Sequence, residues 1–436
     1  MLVPTKRLWF LLALGIPLAL GGIVVPGLER IVLAYDVGLG VLFLITGLLT
    51  KRLDVVTVTR RIDPVLSVRQ PNHVELWVEN ASESPLEVML RDEAPSSMLC
   101  DRSEFHATLR PGDAESFAYT ITPTERGQAE FGDTWLRTLA PLGLCWAQVR
   151  LPNPGVARVY PNVAAVKEFE LLQNRGHLSL IGMRRSKIKG LGQEFESLRD
   201  YNDDDYRTVD WKASARRGKL VVRNYETERN QAVVICIDLG RHMMAEVDGV
   251  TKLDHVLDSV LMLIHAAERQ GDQVGLLLFN DQIKKYIAPR KGRAHTALLV
   301  DALFDARAEP VQPDYTAAYS YLTSRWKRRS LCVLFSDAEN EDQATDLVSA
   351  LGPVRRQHKL IVVRVSDPAL RELRSLPMTT QKAMFARTAG LWYLLDRWKA
   401  EVVLNAARIT SLESEPKDLA VTLVQAYVKV KERALI

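Results

Sequence analysis

The sequence predicts a doubly wound α/β domain at its C-terminal end, a small all-β sandwich before it, and a two-helix membrane hairpin at the N-terminus. Three patterns carry this. Two long apolar runs fill the first fifty residues, strict alternation with frequent turn residues follows, and beyond Gln231 near-continuous hydrophobic runs alternate with helical periodicity. The boundaries fall at 1–52 for the hairpin, 53–160 for the sandwich, 161–230 for a polar connector and 231–436 for the α/β domain.

"LWFLLALGIPLALGGIVVP", Leu8 to Pro26, carries no charge, and at about 1.5 Å per residue it is long enough for roughly 30 Å of hydrocarbon. "IVLAYDVGLGVLFLITGLLT", Ile31 to Thr50, carries only Asp36, which belongs near the head groups or against the partner helix. The first run is long for a signal peptide, lacks a clear small-residue cleavage site and has a second span behind it. Lys6 and Arg7 precede the first span, and Lys51, Arg52, Arg60 and Arg61 follow the second, so the positive-inside rule puts both ends in the cytoplasm. That makes the chain a multi-pass membrane protein, in contact with lipid, with its soluble domains on the cytoplasmic side.

The sandwich announces itself in runs such as "VELWVEN" and "ESFAYTITP", broken by Pro, Gly, Asn and Ser. No chemistry stands out in it. Four Cys (Cys100, Cys145, Cys236 and Cys332) lack CxxC spacing, and the last two lie in apolar runs, a pattern that favours a reducing compartment; a Cys100–Cys145 bridge stays open. A composition of 47% apolar and 25% charged residues excludes disorder. The formal charge of +4, with acids and bases interleaved, argues against nucleic acid as a partner.

In the last domain "AVVICID", "QVGLLLFND", "LCVLFSD" and "KLIVVRVSD" read as strands covered on both faces. Between the first two, "KLDHVLDSVLMLIHAAERQG" puts Leu253, Val256, Leu257, Val260, Leu261 and Ile264 on one helical face, with Gly271 as the stop. Open sheets of this kind take ligands beyond the carboxyl ends of their strands, where Asp238, Asp281, Asp337 and Asp367 stand.

The connector holds "LRDYNDDDYRTVDWKASARRGKL", Leu198 to Leu220, dense in both signs of charge. Arg199, Arg207 and Arg216 can fork onto Asp204, Asp205 and Asp210 with Trp211 packed beneath, which reads as an ionic clasp between domains. A partner-recognition face fits the same residues. A third reading is a carboxylate- and metal-dependent hydrolase built on Asp203, Asp204, Asp205 and Asp210.

"GLGQEFESLRDYNDDDYRTVDWKASAR", Gly190 to Arg216, resembles the signature of the bacterial domain-of-unknown-function-58 family, through Gly192, Glu194, Phe195, Leu198, Arg199, Tyr201, Asp204, Asp205, Arg207, Asp210, Trp211, Ala213, Ser214, Ala215 and Arg216. The chain is one residue short between Tyr201 and Arg207, and Asp203 stands about where the family has Gly. The resemblance implies a von Willebrand factor A-like C-terminal domain and partnership with a MoxR-type AAA+ ATPase. Some such domains bind Mg²⁺ through D-x-S-x-S, a later Thr and a later Asp, which by position become Asp238, Thr316 and Asp337. Both serines are replaced here, by Gly240 and His242, which supply no hydroxyl, so no cofactor is required and Mg²⁺ is doubtful. Phosphate-loop, zinc-protease and nucleophile-elbow motifs are absent from the sequence. The sequence reads as a membrane-anchored, non-enzymatic adaptor, and the resemblance implies a role in the assembly or maturation of envelope proteins.

Overall fold

A computed structural model describes residues 1–21, 27–50, 53, 55–83, 85–161, 194–202, 209–226 and 231–432. The chain divides into two units, Met1–Asn162 and Val163–Ile436.

In the first unit, helices α1 (Lys6–Gly21) and α2 (Leu28–Leu48) pack side by side, and the Tyr35 hydroxyl donates to the Leu11 carbonyl at 2.7 Å. Among the described residues one helical stretch, Arg30–Leu48, is long and apolar enough to cross a membrane. The expected first span is described only as the 16 residues of α1, a rise of about 24 Å at 1.5 Å per residue, which is short of a bilayer core. Two spans are thus not established; one candidate is. Large apolar side chains of both helices, among them Trp9, Phe10, Leu33 and Leu44, face outward.

Both ends of this helical pair meet the sandwich. Leu2–Pro4 joins the edge of a five-stranded sheet by pairing antiparallel with Cys145–Leu151, and the Thr5 hydroxyl donates to the Gly143 carbonyl at 2.7 Å. From the other helix, Thr46 Oγ1 lies 3.8 Å from Cys145 Sγ. The rest of that sheet is Thr134–Leu139, Leu86–Asp92 and Glu104–Leu109. A four-stranded sheet (Val56–Ile62, Asn72–Asn80, Ala114–Pro123, Met98–Cys100) completes the core, in which Val74, Leu76, Val78 and Leu90 are fully enclosed. The alternation in "VELWVEN" is this inward and outward facing. One pairing departs from the antiparallel expectation, since Val65–Ser67 runs parallel to Gly155–Tyr160. Cys100 is exposed, Cys145 is buried, and both are free thiols.

The second unit is a six-stranded sheet. Its strands are β1 (Ala232–Asp238), β2 (Gln273–Phe279), β3 (Ile283–Arg290), β4 (Leu331–Phe335), β5 (Lys359–Val365) and β6 (Thr410–Ser414), in the order β3-β2-β1-β4-β5-β6. All pair parallel except the edge strand β3. The helical segments, again in chain order, are α3 (Trp211–Arg217) ahead of the sheet, then α4 (Lys252–Arg269), α5 (Arg293–Asp305), α6 (Tyr315–Arg325), α7 (Glu341–Gln357), α8 (Pro368–Glu372), α9 (Gln381–Ala406) and α10 (Pro416–Glu432). Val233, Ile235 and Ile237 face α4, α5 and α10, while Val234 and Cys236 face α6, α7 and α9, so β1 is apolar throughout because both its faces are covered. The strand order reverses direction at β1, whose neighbours are β2 and β4. The carboxyl ends of β1 and β4 therefore flank the crevice where open sheets take ligands.

Candidate functional site

At that crevice Asp238 ends β1 and Ser336–Asp337 follow β4. Asp238 is 1% exposed and accepts from the Gly240 N–H at 2.7 Å, the Ser336 hydroxyl at 2.8 Å and the Tyr315 hydroxyl at 3.1 Å. Burial raises its pKa, and these three donors partly offset that. Tyr315 is in turn pushed well above the usual phenol range, first by burial and then by the Asp238 carboxylate.

Asp337, 2% exposed, lies between two buried cations. The Lys252 ammonium hydrogen-bonds one carboxylate oxygen, and Arg397 Nη1 approaches the other at 2.8 Å. The pairing continues both ways. Lys252 reaches Glu339 at 3.4 Å, and Glu339 reaches His242 at 3.4 Å. Arg397 contacts Glu413 at 3.3 Å, Glu413 contacts the wholly buried Arg364 at 3.3 Å, and Arg364 contacts Glu401 at 2.7 Å. Charges alternate along the chain from Glu401 to Glu339. Elements α4, α9, β5, β6 and the loops after β1 and β4 each contribute, so the network fixes how they sit against each other. Such networks are better evidence for defined geometry than for net stability, because desolvation offsets attraction.

A divalent cation does not fit here. Mg²⁺ needs oxygen ligands in an octahedron, but the Asp337 oxygens already carry Lys252 and Arg397. Position 240 has no room for a serine: a Cβ there would stand 2.9 Å from the Val311 carbonyl oxygen and 3.0 Å from Asp238 Oδ1. Thr316 corrects the expectation drawn by position. It is exposed on the first turn of α6, and its neighbour Tyr315 makes the contact to Asp238. Among the described residues no group of three or more His, Cys, Asp or Glu side chains is placed to hold a metal.

Lys252, Glu339, Arg364, Arg397 and Glu413 were not singled out from the sequence. One signal was there to read: Arg364 interrupts the apolar run "LIVVRVS", and a lone cation in a strand covered on both faces demands a carboxylate nearby.

The network makes acid stability testable. Burial alone would raise the Glu339 pKa, but the hydrogen bond with His242 and the Lys252 ammonium outweigh it and hold the carboxyl down at about 2 against an ordinary 4.5. A depressed carboxylate stabilises the fold fully above its unfolded value and loses that contribution as pH falls through its folded value. Thermal melts of the full chain should therefore show the α/β transition weakening between pH 4.5 and about 2, and Glu339→Gln should flatten the decline. An identical slope in the variant would mean that Glu339 does not contribute.

The signature stretch is only partly described. Asp203, Asp204, Asp205 and Arg207 lie outside the described residues, as do the side chains of Glu194 and Arg199. Glu194–Asp200 pairs antiparallel with Val221–Glu226, and α3 sits between them in the chain. Asp210 caps α3, accepting from the Lys212 and Ala213 N–H groups at 3.0 Å each. Gly218, at φ 66°, ends it in the left-handed conformation glycine tolerates. The buried Ser214 hydroxyl accepts from the Val221 N–H at 2.9 Å, and the Tyr201 N–H donates to the Leu220 carbonyl at 3.0 Å. "DWKASARRG" is thus a self-contained capped turn of helix. Trp211 is 64% exposed and Arg216 is exposed, while most of the ion-pair partners expected of the clasp lie outside the described residues.

Residues 197–390 match the model of a family described as "Protein of unknown function DUF58", which bears out the resemblance carried by the signature motif. No curated protein matches the chain. Among solved structures, the CARDB domain of the PF1109 protein from Pyrococcus furiosus is 14% identical over 24% of this chain and 91% of its own, with a TM-score of 0.18. The FixG-related protein from Vibrio parahaemolyticus is 11% identical over 23% and 98%, at 0.17. Proximal thread matrix protein 1 from the mussel byssus is 11% identical over 45% and 46%, at 0.27. At such scores these likenesses carry no inference.

Proposed function

We propose that this DUF58 protein is a membrane-anchored, non-enzymatic adaptor whose C-terminal domain is von Willebrand factor A-like and works with a MoxR-type AAA+ ATPase in assembling or maturing envelope proteins. The observation that carries the reading is the occupied crevice: where the fold would offer a ligand or metal position, Asp238 and Asp337 are committed to Ser336, Tyr315, Lys252 and Arg397. A carboxylate held by two cations is a poor general base and a poor metal ligand. The exposed Trp211 and Arg216 belong to residue types enriched at binding hot spots, which supports the partner-recognition reading of the signature stretch. The outward apolar surface of α1 and α2 supports anchoring, and the Lys/Arg asymmetry supports cytoplasmic soluble domains.

The test is a pull-down from detergent-solubilised membranes with the full chain as bait, alongside calorimetry with Mg²⁺. The expected result is ATP-sensitive retention of an AAA+ ATPase, weakened by Trp211→Ala, and no heat of Mg²⁺ binding. Failure to retain an ATPase, or micromolar Mg²⁺ binding lost in Asp337→Asn, would overturn the respective half of the reading.

A further inference from the structure

The longest helix of the α/β unit carries large apolar side chains on the face turned away from the sheet. On α9 the inward face carries Arg397, buried with Gly390, Ala400 and Leu404, whereas the outward face carries Met384, Phe385, Leu391, Trp392, Leu395, Trp398 and Val402. Successive members are separated by one, three, four or six residues, so at about 100° per residue they form one stripe along the helix. Phe385, Trp392 and Trp398 are 68%, 68% and 62% exposed. Met378, just before the helix, extends the patch at 58%. Scattered exposed apolar residues need no explanation, but a contiguous stripe with three aromatics marks an interaction surface.

We propose that this stripe lies on an anionic lipid surface, with α9 in the plane of the interface. Charge decides among occupants. From Pro368 to Arg408, leaving aside Arg397, which is buried against Asp337 and Glu413, six Lys or Arg stand against three Asp or Glu, a surplus of three. A second copy would bring two such basic segments together and be opposed by that surplus. An anionic bilayer is favoured by it, at about 1 kcal/mol per Lys or Arg near the surface. The shape agrees: the stripe is the convex side of a single helix, which a fluid surface accommodates without a matching groove. Trp and Phe on one face with Lys and Arg alongside is the composition of interfacial helices, and Lys399, the one charge inside the stripe, has a stem long enough to reach the head groups. The proposal rests on the membrane-anchored reading only in that a span near the N-terminus would keep this helix close to lipid.

The experiment uses the full chain in a Cys100→Ser background, reconstituted into phosphatidylcholine vesicles with or without phosphatidylglycerol and carrying doxyl-labelled lipid as quencher. A bimane label is placed in turn at Leu391→Cys on the stripe, at Gln425→Cys on α10 across the sheet, and at Leu44→Cys on α2. The expected result is a blue shift and loss of fluorescence at 391 with phosphatidylglycerol, reversed by high salt and by Phe385→Glu with Trp392→Glu, and no loss at 425. Equal quenching at 391 and 425 overturns the proposal, as does oxidative cross-linking of Leu391→Cys to a second copy in place of quenching. The label at 44 reports on the anchor separately, so an unquenched 44 with a quenched 391 rejects the anchor and keeps the stripe.

Discussion

Asp337→Ala should lower the unfolding midpoint of the α/β unit by roughly 10–20 °C. Removing one partner of a buried pair costs on the order of 3–5 kcal/mol, and a unit of this size shifts by about 2–4 °C per kcal/mol. The effect belongs at the upper end because the substitution strands two cations, Lys252 and Arg397, that then face each other without their shared carboxylate. Replacing Lys252 and Asp337 together by Met and Leu should recover much of the loss, since well-packed apolar residues often substitute for a buried pair without penalty. Calorimetry on the single and double variants checks both statements. A midpoint for Asp337→Ala equal to that of wild type would show that the network contributes nothing.

Asp92→Ala should have an effect of similar size on the sandwich alone. Asp92 accepts from Arg60 Nε at 2.9 Å and Nη2 at 2.5 Å, from the Tyr119 hydroxyl at 2.5 Å and from Thr134 Oγ1 at 2.9 Å. Its loss leaves an enclosed guanidinium with no carboxylate, held by the carbonyls of Asn153 and Gly132 and the face of Phe131, and it leaves two hydroxyls without their acceptor. The expected cost is again about 3–5 kcal/mol. Because Asp92 and Asp337 belong to different units, the two variants should shift different calorimetric transitions. A single transition lowered equally by both would mean that the units unfold as one.

The architecture was legible because it depends on periodicity. Every residue assigned to the inward face of α4, from Leu253 to Ile264, is buried, and the apolar runs at β1, β2, β4 and β5 are strands of one sheet. The partnerships at the strand ends were not legible, because periodicity says which way a side chain faces and not what it meets there. Lys252, Asp337, Glu339, Arg364, Arg397 and Glu413 come from α4, the loop after β4, β5, α9 and β6, spread over about 160 positions of sequence. Thr316 shows the limit of transfer by position, since a shift of one residue on a helix turns the side chain by about 100° and gives its contact to Tyr315. The stripe on α9 was hidden for a related reason: its spacing identifies an apolar face, but only the placement of Arg397 reveals that this face points outward.

The strand Leu2–Pro4 bears on biogenesis. It is made well over a hundred residues before the strand it joins, as the 138-residue separation of Thr5 and Gly143 records. At about 5–20 residues per second of synthesis, its pairing waits on the order of ten seconds, with both helices already emerged. The sandwich edge at Cys145–Leu151 can close only when the N-terminus and the end of α2 are on the same side as the sandwich. A chain whose N-terminus failed to return to the sandwich would keep that edge bare, and a bare edge is a template for aggregation or capture by quality control. Closure of one short strand thereby reports whether the N-terminus has reached the sandwich.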